Sequence, residues 1–141
     1  MEIRKIGFGE VQKIIEEFAA KQKEFLAGVD FVIGVSRGGL VPAALLAAAI
    51  DRPLAAAYID KNDNIFFDRA EWIKDKNILV VDDIIRSGRT LWLVKNHLEK
   101  SCPPQSVSFF ALFKVKSLNE KKYDIPAFAR EIAGDIVFPW D

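Results

Sequence analysis

The chain has few sulfur-containing residues, and its first residues are charged. It contains one cysteine and one methionine among 141 residues. The single thiol, Cys102, cannot form an intramolecular disulfide. Glu2, Arg4 and Lys5 stand where a secretory signal would need an apolar core. These absences make the reducing cytoplasm the expected location.

Net charge and long apolar runs are absent as well. Lys plus Arg and Asp plus Glu number 20 each, so the formal charge is zero and no basic surface for nucleic acid is predicted. The longest apolar stretch, residues 38–50, is too short to cross a bilayer and is followed by Asp51 and Arg52. It predicts a buried helix. Neither a membrane nor a nucleic acid is an expected partner.

Half of the residues are hydrophobic, which suffices for the core of one domain. Apolar periodicity predicts an outer amphipathic helix ending near Gly28, followed by alternating strands and helices. The predicted strands cover residues 31–36, 54–59, 77–82 and 107–113, and the later predicted helices cover residues 40–50 and 88–100. This order predicts a single α/β domain, residues 1–141, with a mostly parallel twisted sheet and helices on both faces. Residues 58–76 interrupt the order and predict a mobile loop with a short hairpin.

One segment carries most of the functional information. Residues 78–81 are an apolar run that leads into Asp82 and Asp83, so two carboxylates are expected at the sheet edge where α/β proteins bind ligands. The following turn supplies backbone N–H groups, hydroxyls and a helix N-terminus, which together suit a phosphate. Its residues are Arg86, Ser87, Gly88, Arg89 and Thr90. Acids beside such a turn predict a phosphorylated sugar as ligand.

A second glycine-rich turn follows the apolar residues 31–35. It contains Ser36, Arg37, Gly38 and Gly39. The glycines let the backbone approach an anion closely, and Arg37 offers a forked donor that matches phosphate oxygens. This turn predicts a pyrophosphate site.

Both turns resemble signatures of the type I phosphoribosyltransferases. Residues 78–90 are similar to that family's motif for 5-phosphoribosyl-1-pyrophosphate (PRPP), and residues 36–42 are similar to the pyrophosphate loop of its xanthine-guanine branch. The resemblance implies that Asp82 and Asp83 hold the ribose hydroxyls and that residues 86–90 hold the 5′-phosphate. It implies catalytic roles for Asp82, Asp83 and Arg37. It also implies a Mg²⁺ cofactor near Asp82, Asp83 and Asp141, held partly through PRPP or water.

The resemblance extends to the C-terminal third. Lys114 stands where the 6-oxopurine enzymes place a lysine that donates to the base. Residues 135–141 resemble the small hood that closes over the base, which implies base contacts from the Ile136 carbonyl and from Trp140. The loop of residues 58–76 occupies the place of the family's flexible lid. A homodimer or homotetramer is also implied, with residues 65–67 or Trp72 as candidate contact surface.

Two positions depart from that branch. Arg86 stands where the branch has an aspartate that exchanges a proton with the base, and an arginine stays protonated. Asp135 stands where the branch has an aromatic residue that stacks on the base, which a carboxylate cannot do. The departures leave the accepted base open and add xanthine-like and pyrimidine bases to the candidates.

The sequence thus predicts a PRPP-dependent pentosyltransferase of purine salvage. Its substrates would be PRPP and a nucleobase, most simply a 6-oxopurine, and pyrophosphate would be released. Two alternatives stay open. A non-catalytic protein that senses PRPP or a nucleotide would keep the phosphate-binding turn and would tolerate Arg86. An α/β protein that uses the acid pair with Mg²⁺ for phosphate transfer would instead form a phosphorylated aspartate.

Overall fold

Strands and helices alternate through most of the chain in the computed structural model, which describes residues 2–116, 123 and 125–141. The strands are β1 Ile3–Lys5, β2 Phe31–Val35, β3 Leu54–Ile59, β4 Ile65–Phe67, β5 Asn77–Ile85, β6 Ser106–Val115, β7 Phe128–Ile132 and β8 Asp135–Val137. The helices are α1 Phe8–Lys21, α2 Lys23–Ala27, α3 Leu40–Ile50 and α4 Arg89–Ser101. Within the described residues, none of the helices has both the length and the apolar character needed to cross a membrane.

Six strands form one sheet in the order β4-β3-β2-β5-β6-β7. Neighbouring strands are parallel except β3 and β4, which form an antiparallel edge pair. The central strands β2 and β5 are apolar and buried along most of their length, as strands covered on both faces must be. The predicted mostly parallel sheet is therefore confirmed.

Helices cover both faces of this sheet. The apolar residues of β5 alternate between two buried clusters, so successive side chains point to opposite faces. Leu79 and Val81 pack in the cluster that contains α1 and α3, whereas Ile78 and Val80 pack in the cluster that contains α4. In α1 the buried residues Val11, Ile14, Ile15 and Phe18 follow helical spacing. The amphipathic pattern thus predicts the buried face of α1 correctly.

Two predicted boundaries are wrong. The strand expected to end at Asp82 continues to Ile85, because Ile84 and Ile85 pair with Phe113 and Lys114 of β6. The first amphipathic helix divides at Gln22, whose backbone (φ −109°, ψ 31°) is not helical, although Gly28 does cap the second piece. The acid pair therefore lies within β5 rather than at its end.

The apolar helix α3 is buried on one side only, contrary to the prediction of a buried helix. Pro42, Ala43, Leu46 and Ala47 are buried against the sheet and α1. Ala44, Ala48 and Ala49 are exposed. An entirely apolar helix with an open face is unusual in a single copy of a protein.

A hairpin at one edge of the main sheet and a separate strand pair complete the β structure. β3 and β4 form the predicted short hairpin, in which the Asp60 carboxylate accepts hydrogen bonds from the backbone N–H groups of Asn62 and Asn64. β1 and β8 form a separate parallel pair, in which Ile3 is opposite Asp135. The predicted C-terminal hood is thus joined to the first strand of the chain.

Candidate active site

Two loops meet where the parallel strands β2 and β5 lie side by side. Gly34 of β2 is paired with Val81 of β5, so the turn after β2 and the acids of β5 reach the same edge of the sheet. A Cβ atom on Gly38 would lie 2.1 Å from Oδ2 of Asp83, and one on Gly39 would lie 2.4 Å from the Val81 carbonyl oxygen. Only glycine leaves room for these approaches. The structure therefore brings together the two motifs that the sequence identified separately.

The turn after β2 exposes the groups expected to meet pyrophosphate. Arg37 is exposed, and Ser36 and Gly38 are partly buried at the mouth of the cleft. The peptide bond between Ser36 and Arg37 is cis. α3 begins at Leu40, directly after this turn, so its N-terminal end faces the same region.

The two acids of β5 differ in their surroundings. Oδ1 of Asp82 accepts a hydrogen bond from the Asp83 backbone N–H at 2.8 Å, and Oδ1 of Asp83 accepts one from Ile84 at 2.7 Å. Oδ2 of Asp83 also accepts a hydrogen bond, from the indole N–H of Trp140 at 3.1 Å. Burial, reinforced by the nearby charge of Asp83, raises the pKa of Asp82 to about 8.

The acid pair fits a Mg²⁺ ion that arrives with its substrate. Mg²⁺ is usually bound by one or two carboxylates together with substrate phosphates and water. Among the described residues, no three acidic, histidine or cysteine side chains gather in a preformed metal cage. Oδ2 of Asp141 accepts a hydrogen bond from the Phe138 backbone N–H at 2.8 Å, which closes a turn at the C-terminal end. The predicted roles of Asp82, Asp83 and Asp141 toward Mg²⁺ stay predictions.

The turn after β5 forms a cavity of about 220 Å³ lined by Asp82 and by residues 84–91. Gly88 has a positive φ of 86°, and a Cβ there would lie 2.3 Å from the Tyr123 carbonyl oxygen, so this position requires glycine. Ser87 Oγ accepts a hydrogen bond from the Arg89 backbone N–H at 3.2 Å. α4 starts at Arg89, which places its N-terminus at the cavity, as the phosphate prediction requires.

One partner of this turn was not foreseen from the sequence. Both terminal nitrogens of Arg89 donate to the carboxylate of Asp63, which lies in the β3–β4 hairpin. This pairing holds the pKa of the Asp63 carboxyl below its usual range, chiefly through the hydrogen bond from Arg89. Arg89, which is predicted to bind the 5′-phosphate, is therefore paired with Asp63 of the predicted lid.

The residues predicted to contact the base lie in β6 and in the C-terminal segment. Lys114 lies inside β6, opposite Ile85, rather than beyond the strand end. Ile136 is buried in the core, and Trp140 stacks on Phe138 with ring centroids 4.9 Å apart and planes inclined by 5°. The structure places the Trp140 indole N–H on Asp83, a contact that the sequence did not indicate. Their contacts with a base stay predictions.

The two departures from the resembled branch are in contact with each other. Nη2 of Arg86 donates to Oδ1 of Asp135 at 2.9 Å. The same oxygen accepts a hydrogen bond from the Ile136 backbone N–H at 2.9 Å. This backbone hydrogen bond and, to a smaller extent, Arg86 lower the pKa of Asp135 from its usual value.

Comparisons with known proteins agree with this geometry. Residues 8–141 match the model of the family described as "Phosphoribosyl transferase domain". A xanthine-guanine phosphoribosyltransferase of Desulfotalea psychrophila is 30% identical over 135 residues, which span 84% of this chain and 72% of that protein. A protein of the same name from Cereibacter sphaeroides is 31% identical over 122 residues, which span 78% and 68%. The resemblance and the enzyme class predicted from the sequence are confirmed.

The fold is similar to that of a solved purine enzyme. The crystal structure of a purine phosphoribosyltransferase from Pyrococcus horikoshii superposes with a TM-score of 0.81 at 25% identity, covering 100% of this chain and 95% of that one. A xanthine-guanine-hypoxanthine phosphoribosyltransferase of Helicobacter pylori superposes with a TM-score of 0.80, but its 23% identity supports the fold alone.

Proposed function

Because the chain belongs to the phosphoribosyl transferase family, we propose that it transfers the 5-phosphoribosyl group of PRPP to a 6-oxopurine and releases pyrophosphate. The candidate bases are xanthine and guanine, which the names of the two sequence relatives give, and hypoxanthine, which the name of the Helicobacter pylori enzyme adds. Residues 1–141 would act as one catalytic domain, and purine salvage in the cytoplasm would be its setting. The family match removes the third hypothesis, a protein that phosphorylates an aspartate.

The observation that carries this proposal is the placement of the two acids between two anion-binding turns. Asp83 lies against Gly38 in the turn after β2, whereas Asp82 lines the cavity of the turn after β5. A ligand with a phosphate at one end, vicinal hydroxyls in the middle and a pyrophosphate at the other end matches this order. PRPP has these three features.

Each group then has a defined task. Asp82 and Asp83 accept hydrogen bonds from the ribose hydroxyls and fix the sugar, while residues 87–90 bind the remote 5′-phosphate and orient the reacting carbon. The bond between ribose C1 and the pyrophosphate oxygen breaks, and Arg37 binds the departing negative charge. The bond from the base nitrogen to C1 forms on the opposite face, and the proton that this nitrogen loses is released to water. Bound Mg²⁺ would supply further neutralisation of the pyrophosphate charge.

The direct test replaces both carboxyl groups of the acid pair with amides. Pyrophosphate release is measured with Mg²⁺-PRPP and, separately, xanthine, guanine, hypoxanthine, adenine, uracil and orotate. We expect wild-type turnover with an oxopurine and a loss of at least about a thousandfold in the double variant Asp82→Asn/Asp83→Asn, since sugar orientation and metal binding fail together. The melting temperature should not fall, because the amides keep the shape of the carboxylates and Asp82 loses its burial penalty.

A matched control uses another adjacent acid pair. Glu16 and Glu17 lie on α1, and the double variant Glu16→Gln/Glu17→Gln removes the same charge outside the cleft. It should keep wild-type turnover. Unchanged activity of the Asp82/Asp83 double variant would refute the site.

One observation favours a second candidate, a PRPP or nucleotide sensor. Arg86, which replaces the proton-exchanging acid of the resembled branch, is already ion-paired with Asp135. A sensor would bind Mg²⁺-PRPP in calorimetry without releasing pyrophosphate with any base in the panel.

A further inference from the structure

The order of the strands separates the two sides of the acid pair. β5 carries Asp82 and Asp83, β2 lies on one side of it and β6 on the other. The predicted pyrophosphate turn follows β2, so the leaving group lies on the β2 side. An in-line displacement brings the acceptor from the opposite direction, which is the side of β6. Lys114, opposite Ile85, marks that side of the cleft.

Arg86 and Asp135 form an ion pair at this side of the cleft. Arg86 follows directly after β5, and Asp135 begins β8, so the pair connects the phosphate-binding turn to the C-terminal hood. Nη2 and Oδ1 are 2.9 Å apart, while the side chains remain 58% and 34% exposed. The pair therefore stays accessible to a ligand.

The pair is not required to hold the hood in place. Ion pairs with this exposure stabilise proteins little. β8 is already held by its pairing with β1 and by the buried side chains of Ile136 and Phe138. A role in ligand recognition therefore explains the Arg86–Asp135 pair better than a structural role does.

The pair still has hydrogen-bonding capacity on both sides of the contact. A guanidinium has five N–H donors, and Arg86 uses one of them for Asp135. Within the described part of the chain, both hydrogen bonds to Asp135 go to Oδ1, which leaves Oδ2 as an acceptor. The pair thus presents a donor and an acceptor side by side, with no net charge.

We propose that the Arg86–Asp135 pair selects the acceptor base by binding an edge that carries a carbonyl next to an N–H group. This inference rests on the proposed function and assigns Arg86 to the acceptor rather than to the 5′-phosphate. Arg86 donates to the carbonyl oxygen, and Asp135 accepts from the ring N–H. An oxopurine presents this edge, whereas adenine has no carbonyl and leaves the guanidinium without an acceptor.

The test compares single and double variants in steady-state kinetics. Arg86→Gln, Asp135→Asn and the combined variant are assayed with xanthine, hypoxanthine, guanine and adenine at saturating Mg²⁺-PRPP. Each single variant should lose about tenfold to a hundredfold in kcat/KM for the preferred oxopurine, the usual effect of an unpaired polar group in a specificity site. The double variant should lose no more than the singles, because the two side chains act as a unit. The KM for PRPP should stay within about twofold of wild type, since neither side chain is assigned to PRPP.

Two further variants separate recognition from structure. Arg130→Gln breaks an ion pair between β7 and α1 whose side chains are 47% and 37% exposed, and it should leave the relative rates with the four bases unchanged. The charge reversal Arg86→Asp/Asp135→Arg keeps an ion pair but exchanges donor and acceptor. It should keep wild-type thermal stability without restoring the wild-type order of bases. Recovery of that order would show a purely structural role and overturn the proposal.

The remaining outcomes are equally distinct. A rise in the KM for PRPP in Arg86→Gln, with no change in Asp135→Asn, would return Arg86 to the phosphate and overturn the proposal. Identical relative rates across the bases in both single variants would do the same. Failure of wild-type protein to turn over any base would instead refute the proposed function itself.

Discussion

Burial and the neighbouring charge of Asp83 make ionisation of Asp82 unfavourable in the folded protein. Its pKa is about 8 in the fold against an ordinary value of 3.8. Between these values the unfolded chain has lost the proton that the folded chain retains, so the unfolded state binds fewer protons. The free energy of unfolding therefore falls as pH rises from about 4 to about 8 and levels off above that range.

Asp82→Asn should remove this pH dependence. We expect its stability relative to wild type to increase by up to about 1 kcal/mol per pH unit between pH 5 and pH 8, because one proton contributes at most about 1.4 kcal/mol per unit. Urea unfolding at pH 5, 6.5 and 8 measures this difference. Asp51→Asn, at an exposed residue outside the cleft, is the control and should show no such trend. A difference between Asp82→Asn and wild type that does not vary with pH would contradict the assignment.

At the scale of single residues, the sequence identified candidate site residues but not the residues that contact them. Asp82 and Asp83 were predicted from the apolar run before them, yet the Trp140 donor lies 57 residues away along the chain. Arg86 and Asp135 were each recognised as departures, but their contact depends on the position of β8. That position follows from pairing with β1, a three-residue strand with every residue exposed, which gives no hydrophobic signal.

Among the elements, the β3–β4 hairpin is in direct contact with the predicted phosphate-binding turn. The Asp63 carboxylate pairs with Arg89, and Asp63 itself has a positive φ of 63°, a conformation that Asn also adopts readily. A phosphate bound in the turn would compete with this carboxylate for the guanidinium. We therefore expect the Asp63 carboxylate to oppose phosphate binding.

Asp63→Asn should therefore tighten PRPP binding. An exposed ion pair contributes up to about 1 kcal/mol, which corresponds to at most about a fivefold lower Kd for Mg²⁺-PRPP. Isothermal titration calorimetry measures this constant. Asp75→Asn is a close control, because Asp75 is also an exposed aspartate with a positive φ, 64°, and it should bind PRPP as wild type does. Weaker binding by Asp63→Asn would mean that the hairpin supports the phosphate site instead.

The boundaries of elements were predictable where packing and periodicity agree. The predicted bounds of α3 and β3 match the structure, since each is an uninterrupted apolar segment between polar or glycine-containing turns. β5 extends past its predicted end because its backbone continues to pair with β6 beyond two carboxylates. The division at Gln22 was missed because Phe25 and Leu26 continue the apolar pattern across the break.

For the molecule as a whole, the open face of α3 predicts self-association. Ala44 and Ala48 are exposed on this helix, and the cross-strand pair Tyr58 and Phe66 is exposed at the β3–β4 edge of the sheet. Apolar surface of this kind is characteristic of contacts between protein subunits. The prediction of a homodimer or homotetramer made from the sequence thus has a specific surface to test.

Ala48→Glu should weaken the association at least about tenfold, because a buried unpaired carboxylate at an interface is strongly unfavourable. Sedimentation velocity across a concentration series gives the dissociation constant. Gln12→Glu places the same charge on the exposed face of α1 and should leave association unchanged. Wild-type protein that stays monomeric at high micromolar concentration would contradict the prediction.

If Asp135 selects the acceptor as proposed, the pairing of β1 with β8 connects acceptor choice to residues outside the cleft. Ile3, Arg4 and Lys5 pair with Asp135, Ile136 and Val137, and a Cβ on Gly134 would lie 2.2 Å from the Glu2 carbonyl oxygen. A substitution in residues 2–5 or at Gly134 would shift Asp135 without replacing any residue of the proposed site. In a genetic selection for growth on a new base, we therefore expect mutations that change base specificity at Gly134 and in residues 2–5. A library directed at the active site would omit these positions.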